Sequence, residues 1–117
     1  MSILDKIILK KKNRLEIKKA LQPLSKLKED IQFHQIIIKL EEVLDNNNIT
    51  LIAEMKRQSP SAGIMDTKLI PNEQAEIYIK SGADAISVLT EEDFFRGSNK
   101  DLTDVLKVSK NKRIPVL

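Results

Sequence analysis

The sequence predicts an α/β fold built on a parallel sheet, and three observations carry that prediction. Residues 1–48 space their apolar side chains as helices do. From Ile49 onward, short apolar runs rich in Ile and Val alternate with helical segments, and each run stops at a polar loop. The chain has 117 residues, the size of one small domain, and 41% of them are hydrophobic, mostly Ile and Leu, which suffices for a core.

The first helix is expected over about residues 2–20, because Leu4, Ile7, Ile8, Lys11 and Leu15 keep helical spacing. Ser2 with Asp5 three positions on matches a capping box. Lys10, Lys11, Lys12, Lys18 and Lys19 read as a solvated flank rather than as a nucleic-acid or membrane-surface face. "ALQPLSKLKED" is then a connector broken by Pro23. A second helix is expected over about residues 30–45, with Phe33, Ile36, Ile37, Leu40, Val43 and Leu44 on one face. His34 lies beside that face. With no second His and no Cys in the chain, no metal-ligand role is expected of it.

After Asn48 the period changes. "ITLIAEM", residues 49–55, has the continuous β-branched character of a strand covered on both faces. A loop, "KRQSPSAGIMDTKLI", leads to a helix opening at Pro71, a residue suited to the first helical position, and Ser81-Gly82 stops that helix. "ADAISVLT", residues 83–90, is a second apolar strand and "EEDFFRGSN" a second polar loop. Ser98 with Asp101 three on marks the N-terminus of a helix carrying Leu102, Val105, Leu106 and Val108, and "IPVL" opens a third strand. The order is helix, helix, then βαβαβ.

A parallel strand at residues 114–117 with no helix after it leaves apolar edges bare, so the sequence is expected to stop inside a larger fold. A (β/α)8 barrel takes about 250 residues. The fold expected is therefore a partial (β/α)8 barrel in one incomplete domain, with residues 1–48 a helical extension and residues 49–117 the first two and a half β/α units.

Composition narrows the function classes. Twenty Lys and Arg against 17 Asp and Glu give a formal charge of only +3, and the chain has one Tyr, three Phe and no Trp. A nucleic-acid surface needs clustered cations with groups that read or stack bases, so no nucleic-acid partner is expected. No run approaches the roughly 18 apolar residues of a membrane span, and the N-terminus lacks the features of a secretory signal. The absence of cysteine excludes disulfides and thiolate metal sites and is compatible with the reducing cytoplasm, where the protein is expected.

In α/β barrels, functional groups sit at the C-terminal ends of strands and in the loops that follow. Glu54, Lys56, Ser59 and Pro60 hold that position after the first strand, and Thr90, Glu91, Phe94 and Phe95 after the second. Residues two apart on a strand point to one side, so the Glu54 carboxylate can hold the Lys56 ammonium. Such an ammonium binds an anion or delivers a proton. Spacing alone also fits a solvated charge pair at a strand terminus. Ser59-Pro60-Ser61 with Gly63 is by itself only a turn, and Phe94 and Phe95 read more readily as hydrophobic plugs than as ring-stacking groups.

"LIAEMKRQSPSAG", residues 51–63, resembles the first-strand signature of the indole-3-glycerol-phosphate synthase family, which reads roughly I-A-E-x-K-x-x-S-P-S-x-G. "GADAISVLTEEDFFRGS", residues 82–98, is similar to the family's second-strand segment, and "MSILDKIILKKKNRLEIKKA" resembles its extra N-terminal helix. The resemblance implies a carboxy-lyase of tryptophan biosynthesis. It closes the indole ring of 1-(2-carboxyphenylamino)-1-deoxyribulose 5-phosphate with loss of carbon dioxide and water, and uses no metal or organic cofactor.

By that resemblance Lys56 contacts the anionic groups of the substrate and donates a proton, and Glu54 orients it. Ser59 and Pro60 belong to the substrate-contacting loop, and Phe94 or Phe95 to an aromatic wall around the anthranilate ring. Arg96 stands where many members have a second glycine. The family's third-strand lysine, its later catalytic glutamate and asparagine, and its phosphate-binding loops have no counterpart in these residues, so the 117 residues alone are expected to be inactive. A runner-up reading is a non-catalytic α/β module that associates through its strand edge, with a second copy or with a C-terminal half-barrel. The neighbouring isomerase of the pathway is a poorer match, because it would account for neither the N-terminal helix nor the "SPS" loop.

Overall fold

The structure, a computed structural model, describes residues 1–31, 37–44 and 47–117, and the chain divides into two units, Met1–Ile36 and Ile37–Leu117. In the first, helix α1 spans Ile3–Leu21. Its start is fixed by the expected capping box: the Asp5 amide donates to Ser2 Oγ at 3.1 Å, and the Ser2 amide donates to Asp5 Oδ2 at 2.7 Å. Lys18 and Lys19 lie in its last turn, where cations complement the exposed carbonyls. None of its residues is buried.

The connector expected at residues 20–30 is corrected. Pro23 ends α1, but a second helix, α2, opens directly after it and spans Leu24–Asp30. The Leu27 amide donates to the Pro23 carbonyl at 3.1 Å, and a proline before the first turn costs nothing because its missing N–H has no partner there. The continuous helix expected over residues 30–45 is also corrected. Phe33, His34 and Ile36 lie outside the described residues. Ile37–Lys39 carry no helix, and Leu40–Glu42 form a single 3-10 turn. The run Ile36-Ile37-Ile38 is β-branched throughout, which disfavours a helix even where the apolar spacing suits one.

In the second unit, strand β1 spans Ile52–Met55. The loop after it contains a short antiparallel hairpin, β2 (Gln58–Ser59) with β3 (Gly63–Ile64), where the sequence predicts only loop. Gly63 takes φ 69°, the left-handed conformation that closes this turn without a Cβ penalty. Helix α3 (Pro71–Lys80) begins at the expected proline, strand β4 spans Ala85–Val88, and helix α4 (Asn99–Ser109) begins after Ser98, whose Oγ accepts from the Asp101 amide at 3.1 Å.

β1 and β4 are parallel neighbours, with Ile52 level with Ala85 and Met55 level with Val88. Residues 114–117 start a third parallel line on the far side of β4. Ile86 donates to the Pro115 carbonyl at 3.0 Å, and Leu117 donates to the Ile86 carbonyl at 2.9 Å. The order is therefore β1, β4, then residues 114–117, as the βαβαβ reading requires. Helices α3 and α4 supply Ala75 and Val105 to a core with Met55, Ile86 and Val88. The expectation that the first strand is covered on both faces is corrected, since Ile52 is 43% exposed and Glu54 is also exposed. The apolar run reflected a strand with one packed face.

Candidate active site at the strand ends

β1 delivers Glu54, and Lys56 follows one residue past its end. Lys56 Nζ donates to Glu54 Oε1 at 2.8 Å, so the acid and the ammonium meet as their spacing predicted. Their side chains are 46% and 33% exposed, and an ion pair that wet contributes about 0–1 kcal/mol. The pair therefore does little for stability. What it fixes is the direction of the ammonium at the open end of the sheet. The parallel register sets Ser87 level with Glu54, facing the same side, and Tyr78 of α3 donates from Oη to the Glu54 carbonyl at 3.0 Å.

Arg57, for which the sequence pattern predicts no role, joins the two loops. Its Nη1 donates to Asp101 Oδ2 at 2.5 Å and its Nη2 to Asp101 Oδ1 at 3.2 Å, a two-pronged bridge to the first turn of α4. The same guanidinium donates to the carbonyl of Arg96 at 3.1 Å and to that of Leu69 at 3.2 Å. One side chain of the loop after β1 thus holds the loop after β4. Asp101 serves twice, since its amide is capped by Ser98 while its carboxylate faces Arg57. Its position three past a capping serine was visible in the sequence, but nothing there pointed to a partner 44 residues away.

Ser59 is buried and its Oγ accepts from the Ala62 amide at 3.1 Å, so its hydroxyl shapes the hairpin turn; Pro60 is exposed beside it. Phe94 and Phe95 are half-buried in the loop after β4. Their amides donate to Glu91 Oε2 at 2.6 and 3.3 Å, and the Asp93 amide donates to Glu91 Oε1 at 3.1 Å. Arg96 adopts φ 54°, so the loop bends through a left-handed residue at the position where the family resemblance places a glycine in many members. Gly97 follows with no room for a side chain, because a Cβ there would stand 1.7 Å from the Leu89 carbonyl oxygen. Among the described residues no group of three or more His, Cys, Asp or Glu is placed to hold a metal ion, and no helix is long and apolar enough to cross a membrane.

The family profile described as Indole-3-glycerol phosphate synthase matches residues 4–116, a span that includes the strand-end acid and ammonium, the SPS hairpin and the paired phenylalanines. The chain belongs to the indole-3-glycerol phosphate synthase family. It is 40% identical over 116 residues to the Indole-3-glycerol phosphate synthase of Alkaliphilus metalliredigens, covering 98% of this chain and 43% of that relative. The protein of the same description from Petrotoga mobilis is 47% identical over 81 residues, 68% of this chain and 30% of its own length. That of Dehalococcoides mccartyi strain CBDB1 is 38% identical over 118 residues, 98% and 45% respectively. The chain thus spans less than half the length of these family members.

Proposed function

We propose that Glu54 and Lys56 form the first-strand part of the active site of an indole-3-glycerol phosphate synthase, a carboxy-lyase of tryptophan biosynthesis acting in the cytoplasm. The observation that carries the reading is the 2.8 Å contact between Lys56 Nζ and Glu54 Oε1 at a strand end, in a chain of this family. Within it, residues 1–48 are the helical extension and residues 49–117 the opening units of a (β/α)8 barrel. The three parallel lines in sequence order support that architecture.

The substrate is 1-(2-carboxyphenylamino)-1-deoxyribulose 5-phosphate. A ring carbon bonds to the ribulose carbonyl carbon, the carboxylate leaves as carbon dioxide, and the former carbonyl oxygen leaves as water. The Lys56 ammonium binds the anionic groups of the substrate and donates a proton, while the Glu54 carboxylate orients the ammonium and the reacting hydroxyl. Ser59 and Pro60 shape the loop against the substrate, and Phe94 with Phe95 wall the anthranilate ring. The reaction is an acid–base sequence and calls for no metal or organic cofactor.

Exposed apolar residues ahead of and at the start of β1, Ile49, Leu51 and Ile52, support association with further β/α units or with a second copy. The test is a chain in which residues 1–117 are joined to the C-terminal remainder of the Alkaliphilus metalliredigens relative. Replacing Lys56→Ala or Glu54→Gln in it is expected to lower kcat by about 100-fold or more, in line with the loss of a positioned acid or base. Unchanged kcat in both variants contradicts the assignment.

A further inference from the structure

Four amides of the loop after β4 converge on one residue. Asp93 donates to Glu91 Oε1 at 3.1 Å, Phe94 and Phe95 donate to Oε2 at 2.6 and 3.3 Å, and Gly97 donates to the Glu91 carbonyl at 2.8 Å. Glu91 lies three residues past the end of β4, and the Leu89 amide between them donates to the Met55 carbonyl at 3.2 Å. The carboxylate is therefore anchored to the sheet, and the backbone from which both rings hang is anchored to the carboxylate.

The far side of the loop is closed as tightly. Gly97 packs against the Leu89 carbonyl where no Cβ fits, and the Arg96 carbonyl accepts from Arg57 at 3.1 Å. With its backbone fixed at both ends, an aromatic side chain keeps only two torsions, so the clip narrows where each ring can stand. We propose that Glu91 is a positioning residue for substrate recognition: its carboxylate gathers the amides of residues 93–95 and thereby sets the Phe94–Phe95 wall against the anthranilate ring. This rests on the synthase reading above.

A wall that holds the ring equally in the ground state and the transition state lowers KM and leaves kcat alone. In the joined chain, Glu91→Ala is expected to raise KM about tenfold with kcat held within about twofold. It is also expected to speed amide exchange at residues 93–95 about tenfold, while Ile86 and Val88 keep their protection. Glu91→Gln retains a carbonyl oxygen for the Phe94 and Phe95 amides, which share one acceptor, and is expected to restore most of the wild-type KM. A brace needed only for folding would lower the melting temperature without separating KM from kcat.

Unchanged exchange at residues 93–95 in Glu91→Ala, or faster exchange with unchanged KM, overturns the proposal. The double variant Phe94→Leu, Phe95→Leu reports on the reading beneath it. If that variant keeps wild-type KM, the aromatic wall itself fails and Glu91 loses its role with it, whatever its own variants show.

Discussion

At the scale of single residues, the strand ends carry one largely buried charge pair and one half-exposed pair. Arg57 and Asp101 are 19% and 12% exposed and joined by two hydrogen bonds, whereas Glu54 and Lys56 are 46% and 33% exposed. Removing one partner of a largely buried pair strands the other, at about 3 kcal/mol. Asp101→Asn is thus expected to lower stability by about that amount in denaturant titrations, while Lys56→Ala changes it by less than about 1 kcal/mol. A larger loss from Lys56→Ala than from Asp101→Asn would reverse this assignment of roles. The loop backbone gives a second contrast. Arg96→Gly is expected to raise stability by about 0.5 kcal/mol, since glycine takes φ 54° without a Cβ penalty. Gly97→Ala puts a methyl group into the Leu89 carbonyl and is expected to lower stability sharply, readable as a fall in melting temperature.

Among the elements, those whose signals are local were legible in the sequence. Ser2 with Asp5, Pro71, Gly82 and Ser98 with Asp101 each act within a few residues of themselves, and helices α1, α3 and α4 begin or end where these residues indicate. Gly82 takes φ 92° just past the end of α3, as a helix stop does. Helix α2 and the 3-10 turn at Leu40–Glu42 were not legible, because their apolar spacing is shared with structures they did not form. The hairpin β2–β3 depends on pairing across a turn that reads as loop. Of the site, the Glu54–Lys56 contact followed from strand alternation. The Arg57–Asp101 bridge did not, because it joins residues 44 apart through tertiary packing.

Helix side chains also set a pH dependence. Hydrogen bonds from Lys100 and then from Lys107 hold the Asp104 carboxyl below its ordinary value of 3.8, and a hydrogen bond from Ser2 does the same for Asp5. A carboxylate depressed in the folded state contributes stability that is present above its unfolded value and is lost as pH falls through its folded one. Asp104→Asn is therefore expected to flatten the decline of stability below about pH 4, measured by denaturant titration across pH. An unaltered pH profile in that variant contradicts the assignment.

On the scale of the second unit, α3 and α4 pack against the β1–β4 pair, while Ile49 and Leu51 ahead of β1 and Ile52 at its start are 95%, 52% and 43% exposed. Apolar surface of that kind is stable only when covered, and family members more than twice as long carry the same segment. Under the proposed synthase reading, Glu54 and Lys56 would supply one acid–base pair, while ring closure, decarboxylation and dehydration call for more groups than one pair provides. The most direct measurement is indoleglycerol phosphate formation from the synthetic substrate, by the 117 residues alone and by the chain joined to the Alkaliphilus metalliredigens remainder. Product from the joined chain, dependent on Lys56, with only background from the 117 residues, is the expected result. A joined chain that melts cooperatively yet forms no product would contradict the claim that these strand ends belong to a synthase active site.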